Sequence, residues 1–118
     1  LDRIQVIKGW LDSAGVTHEK IYNIALSDDR TPNQPVASTV DLKTVSYTNS
    51  IGSSHFNRVW TDADFDPTLR AFYYVRVLEI PTPRWTAYDE LKFKVRMPDQ
   101  VPKIVQDRAY TSAIWYTP

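Results

Sequence analysis

The sequence predicts an all-β domain, a small sandwich of about seven short strands. Three observations carry that prediction. Tyr73 to Ile80 alternates like a half-buried strand, and then Pro81 and Pro83 bracket Thr82 and forbid both helix and interior sheet. Further short runs of β-forming residues recur along the chain, separated by turn signals. Composition agrees, because 3 glycines against 8 prolines, 7 tyrosines and 4 tryptophans favour strands and stiff loops over long helices.

Taken in order, Ile4 to Leu11 places Ile4, Val6 and Trp10 on one face and Ile7 and Leu11 on the other, as a central or covered strand does. Asp12-Ser13-Ala14-Gly15 is a turn signal, and Lys20 to Leu26 completes a hairpin whose loop exceeds the tight two-residue type. Ser27 to Ser38, with Pro32 and Pro35, reads as a long proline-containing excursion. Thr39 to Asn49 returns to β-rich composition before Asn49 to Ser54 breaks it. His55 to Trp60 fits a short strand or a helical turn. Asp66-Pro67 predicts one capped turn, since Asp66 can accept from free amides and Pro67 suits a first helical position. Ala71 to Ile80 is the clearest strand. Leu91, Phe93 and Val95 alternate with Lys92, Lys94 and Arg96, as in an edge strand, and Ala109 to Tyr116 forms the last one. The expectation is one domain over residues 1–118, of the two-layer kind seen in immunoglobulin and fibronectin modules.

Composition bounds the function. The chain of 118 residues is long enough for one core. Fourteen basic against fourteen acidic residues give no support for steering toward nucleic acid or an anionic membrane. Without cysteine there are no disulfides, thiolate chemistry or Cys-based metal sites. No apolar run approaches the roughly 20 residues that span a bilayer. The chain begins with Leu1 and enters strand-like sequence at Ile4, so it reads as a piece of a longer polypeptide.

Few residues suggest chemistry. Asp62, Asp64 and Asp66 have the one-three-five spacing of a calcium loop, but Pro67 replaces the required glycine and Tyr73 the final glutamate. His18 and His55 belong to no zinc-ligand cluster, and Ser50, Ser53 and Ser54 lack a nucleophile-elbow pattern. Trp10, Phe72, Tyr74 and Trp115 read as core rings. Tyr73, Trp85, Tyr88 and Trp60 are less committed, and exposed rings of this kind fit a sugar-stacking surface. Arg84 stands out, because Pro81 and Pro83 fix its backbone and its fork suits a carboxylate or phosphate. It either pairs with Glu79, Asp89 or Glu90, docks on another domain beside Trp85, or meets a substrate.

Asp2 to Asp12, Val59-Trp60-Thr61-Asp62, Phe65-Asp66-Pro67, Arg70 to Trp85 and Arg108 to Pro118 closely resemble the C-terminal part of DUF3604 proteins. The resemblance covers nearly the whole chain. It implies a bacterial and apparently exported parent, similar to the PHP superfamily of metal-dependent phosphoesterases, whose metals sit on a distorted barrel preceding such a β domain. None of that superfamily's histidine-rich motifs matches a stretch of this sequence. The implied role is a non-catalytic β domain that packs on and stabilises or rims the parent's N-terminal catalytic domain. The fragment itself is expected to hold no cofactor, with the divalent metal in the parent's catalytic body. Ile7, Leu11, Arg84, Trp85 and Tyr88 are the expected docking or ligand contacts. The alternative is a carbohydrate-binding module using Trp60, Trp85 and Tyr88.

Overall fold

The computed structural model describes residues 1–118 and is mostly antiparallel β with one short helix. Strands β1 (Arg3–Leu11) and β2 (Thr17–Leu26) form the expected hairpin. In its loop, the Asp12 carboxylate accepts from the amides of Ala14 and Val16, each at 2.9 Å, while Gly15 takes φ +79°. Strand β3 (Ala71–Leu78) pairs with the other side of β1. The long excursion between β2 and β3 thus returns the chain to the centre of the sheet.

Two-residue strand β4 (Thr82–Pro83) pairs with β5 (Ile104–Val105) in a separate small sheet, where the prolines are tolerated on an edge. Helix α1 (Trp85–Phe93) lies between them in sequence. Strands β6 (Arg108–Tyr110) and β7 (Ile114–Tyr116) both pair with the free edge of β3. The large sheet therefore runs β2–β1–β3, followed by β6 and β7 side by side.

Four sequence expectations are corrected. Thr39 to Asn49 holds only the isolated bridge Asp41–Ser46, because its own side chains compete for the backbone. Thr39 Oγ1 donates to the Thr48 carbonyl at 2.7 Å, and the Asp41 carboxylate accepts from the Lys43 amide at 2.8 Å. His55 to Trp60 is neither strand nor helical turn. Leu91 and Phe93 belong to α1, not to an edge strand. The segment Ala87-Tyr88-Asp89-Glu90-Leu91-Lys92 is rich in helix formers, and Thr86 and Ala87 face inward, leaving Leu91 and Phe93 exposed. The last strand is split into β6 and β7 at Thr111, whose hydroxyl accepts from the Val75 amide at 3.0 Å. At Asp66 the cap forms as expected, accepting from the Thr68 amide at 2.8 Å, but the turn does not grow into helix.

Gly52 closes the excursion against the chain start at φ +82°. A Cβ there would lie 2.6 Å from Ile80 Cγ2 and 2.9 Å from the Leu1 carbonyl oxygen. Gly52→Ala is therefore expected to cost about 2 kcal/mol. Gly15→Ala, at similar φ but with open space around it, is expected to cost about 1 kcal/mol. Chemical denaturation of both variants checks the difference; equal losses would contradict it.

Candidate functional site

Strand β1 divides the large sheet into two unlike faces. Val6, Lys8 and Trp10 share one face with Tyr22, Lys20 and His18 of β2 and with Val75, Tyr73 and Ala71 of β3. Gln5, Ile7, Gly9 and Leu11 share the other with Asn23, Ile21, Glu19 and Thr17, and with Arg76, Tyr74 and Phe72.

The Lys8 face is capped by the loop Trp60 to Asp66. Lys8 is buried in the sheet centre and its ammonium reaches Asp62 at 2.5 Å and the Asp64 carbonyl at 2.8 Å. Tyr73 donates to Asp62 at 2.7 Å, and Tyr22 donates to Asp64 at 2.9 Å beside Lys20, which meets the same carboxylate at 2.5 Å. The Trp60 ring packs on Tyr22 and Tyr73 with centroids 4.9 and 6.4 Å away. The acidic loop thus uses its carboxylates to fasten itself to the sheet.

This arrangement sets the pH response. Burial raises the Asp62 carboxyl, but hydrogen bonds from Lys8, Tyr73 and the Asp64 amide, with the Lys8 charge, outweigh it and hold the group below its ordinary value. Asp64 is lowered by hydrogen bonds from Lys20 and Tyr22 and by the Lys20 charge. Burial, followed by the neighbouring carboxylates, pushes the phenols of Tyr22 and Tyr73 above the usual range. A lowered carboxyl contributes stability that is complete above its unfolded value, about 4, and is lost as pH falls through its folded value. A raised phenol contributes stability that is complete below about pH 10 and is lost as pH rises toward its folded value. Urea midpoints should therefore form a plateau from about pH 5 to about pH 9 and decline on both sides. A midpoint unchanged down to about pH 2.5 would contradict the carboxylate assignment.

The opposite face carries an aromatic row. Phe72 and Tyr74 stand nearly parallel, 8° apart with centroids at 6.4 Å. Trp115 extends the row from Phe72 at 5.1 Å and Tyr110 extends it from Tyr74 at 6.2 Å. Gly9 lets the Phe72 ring cross the strand, since a Cβ there would lie 2.4 Å from Phe72 Cζ. Beside the rings runs a polar ladder in which Arg76 Nε donates to Gln5 at 2.9 Å, and Gln5 donates to Asn23 at 2.9 Å. At one end a groove of about 700 Å³ is lined by Leu11, Thr17, Arg70, Phe72 and Trp115, among others. No helix or second sheet packs on this face. Trp115 is 74% exposed, Tyr110 56% and Ile21 45%. Of the four rings expected in a closed interior, Phe72, Tyr74 and Trp115 therefore lie on this open face, while Trp10 is on the Lys8 face.

The expected contact residues are dispersed. Ile7, opposite Ile21 and Tyr74 in the strand register, is 1% exposed and so presents no free surface to a partner. Leu11 is exposed at the rim of the groove. Trp85 and Tyr88 are exposed on α1, and Trp60 lies in the opposite face's cluster. Arg84 pairs with none of Glu79, Asp89 or Glu90; its guanidinium lies 5.7 Å from the Trp85 ring, and Glu90 instead meets Lys103 at 2.6 Å. Sequence reasoning missed the Lys8–Asp62 lock, although a lysine amid the apolar residues of a central strand signals a buried partner.

No group of three or more His, Asp or Glu side chains could hold an ion, and Asp62 and Asp64 are committed to lysines and tyrosines. No helix is long and apolar enough to cross a membrane. Compared with known proteins, the chain matches the family model DUF3604, described as a protein of unknown function, over residues 1–118. No curated protein and no solved structure matches it.

Proposed function

The chain belongs to the DUF3604 family, and from that premise we propose that it is a non-catalytic β domain of a longer polypeptide. In this reading it packs on, and rims, the catalytic body of a metal-dependent hydrolase similar to the PHP phosphoesterases. One observation carries the proposal: the sheet's aromatic face is open. Its consequence is measurable in area. A compact protein of 13.7 kDa exposes roughly 6,600 Å², whereas this chain exposes 8265 Å². Its radius of gyration is 18.6 Å, against about 13.5 Å for a compact domain of this length. The excess is roughly 1,700 Å²; the aromatic face supplies part of it, and the rest lies along a chain 59 Å long that also exposes Val59, Leu91, Phe93 and Ile114. The sandwich is then completed by the docked body, which supplies the layer facing Phe72, Tyr74, Tyr110 and Trp115.

Arg84 and Trp85 are the rim in this account. The Thr82–Pro83 strand fixes the backbone, leaving a guanidinium with no carboxylate of its own. In the longer polypeptide, Arg84→Ala tests whether that rim reaches substrate. A loss of transition-state stabilisation with unchanged thermal stability marks a substrate contact, and matched losses mark docking. The non-catalytic assignment is tested by titrating the 118-residue chain and the longer polypeptide with Mn²⁺ or Zn²⁺ and assaying a phosphoester. Binding and turnover are expected from the longer polypeptide alone. Stoichiometric metal binding or turnover by the chain itself would contradict the reading.

The alternative, a glycan-binding surface, is favoured by the near-parallel Phe72 and Tyr74 rings beside the Gln5–Asn23 ladder. It moves the stacking platform from Trp60, Trp85 and Tyr88 to the aromatic row. Saturable quenching of Trp115 fluorescence by soluble oligosaccharides would select it.

A further inference from the structure

Strand β2 ends the large sheet, and its outer edge pairs with nothing. The direction of its free groups follows from two flanking hydrogen bonds. The Asp12 amide donates to the Val16 carbonyl at 3.0 Å, which puts the same-parity residues Lys20 and Tyr22 in the ladder to β1. The Leu11 amide donates instead to Arg70 at 3.1 Å, so the odd residues of β1 turn toward β3. On β2 the odd residues Glu19, Ile21 and Asn23 therefore point their N–H and C=O groups outward. Beyond Asn23, Ile24 has no partner on β1, a bulge that ends the regular edge.

We propose that this edge is a self-recognition surface, on which a second copy of the chain pairs antiparallel across Glu19–Asn23, Ile21 opposite Ile21. A two-fold axis perpendicular to the sheet keeps each face on its own side, so opposed residues must have the same parity. Centring on Glu19 or Lys20 sets like charges directly opposite, and centring on Tyr22 or Asn23 brings the bulged Ile24 into the pairing. Centring on Ile21 opposes Ile21 with itself, Glu19 with Asn23, and Lys20 with Tyr22. The last pair repeats across the junction a contact already made within the strand, where Lys20 Nζ lies 4.9 Å from the Tyr22 ring. Three outward pairs would form about six backbone hydrogen bonds. A formal charge of zero leaves no long-range repulsion between copies. Glu19, Lys20 and the bulge guard this edge against indiscriminate pairing while leaving one register open.

Sedimentation of the 118-residue chain from about 1 µM to about 1 mM tests the proposal. The weight-average mass is expected to rise from 13.7 kDa toward twice that value. Ile21→Pro removes one outward N–H and no bond to β1, so it should stay monomeric with unchanged far-UV circular dichroism. Ile21→Lys and Ile21→Glu should each be monomeric alone, and their equimolar mixture should dimerise. A wild type that stays monomeric throughout, or a dimer indifferent to all three substitutions, overturns the proposal. A lysine–glutamate mixture that remains monomeric overturns the register. A dimer abolished by Trp115→Ser but not by Ile21→Pro assigns association to the aromatic face and also overturns the edge.

Discussion

Asp2→Ala is expected to lower the unfolding free energy by about 4 kcal/mol. Asp2 is 1% exposed, and its carboxylate is the knot of the sheet's open end. It accepts from Arg3 at 3.0 Å and Gln106 at 3.1 Å and forms an ion pair with Arg30, whose side chain is 5% exposed. Its backbone is equally committed, donating to Leu78 at 2.8 Å and accepting from Ser27 at 2.9 Å. Removing the carboxylate leaves the Arg30 guanidinium buried with only neutral acceptors from Asp2, Ser27 and Gln34. An uncompensated buried charge costs far more than a lost contact. Asp2→Asn should cost less, because an amide oxygen still accepts. A double-mutant cycle with Arg30→Ala in urea should give a coupling of about 2 kcal/mol. Additive losses would mean that the pair does not act as a unit.

Asp62→Ala is the second large effect, expected at about 3 kcal/mol. Lys8 and Asp62 side chains are 6% and 7% exposed, so the ammonium loses its only carboxylate and keeps the Asp64 carbonyl alone. Tyr73 loses its acceptor in the same step. The loop should lift from the sheet, exposing Trp60 and shifting its fluorescence to longer wavelength. Replacing both partners together, Lys8→Met with Asp62→Leu, removes charge and counter-charge and should recover most of the loss. If the double variant is as unstable as Asp62→Ala, the cost lies in packing and not in the stranded ammonium.

How far the sequence revealed this differs by element. The β1–β2 hairpin was legible because its periodicity and Asp12–Gly15 turn chemistry point to the same structure. Strand β3 was legible for the same reason, with Pro81 marking its end. Helix α1 was hidden because alternation over Leu91, Phe93 and Val95 is too short a window to separate periods of 2 and 3.6. The irregular path from Thr39 to Trp60 was hidden because β-branched residues there use hydroxyls on their own backbone, as Thr39 does with Thr48. Arg84, singled out from its prolines, sits at the N-cap of α1 and in neither cluster of the large sheet. The Lys8–Asp62 and Asp2–Arg30 pairs were not legible, since each joins segments far apart in sequence. Nor could alternation tell that Phe72, Tyr74 and Trp115 lie on a face that no helix or second sheet of this chain covers. An apolar face looks the same in sequence whether its cover comes from within or from a partner.

The docking of the aromatic face is the claim on which the functional account stands. Hydroxyl-radical footprinting of Trp115 and Tyr110, in the 118-residue chain and in the longer polypeptide that the proposal requires, measures it directly. The account predicts that both rings oxidise rapidly in the chain alone and several-fold more slowly in the longer polypeptide, while exposed Val59 reacts equally in both. Equal reactivity of Trp115 and Tyr110 in the two samples would contradict it.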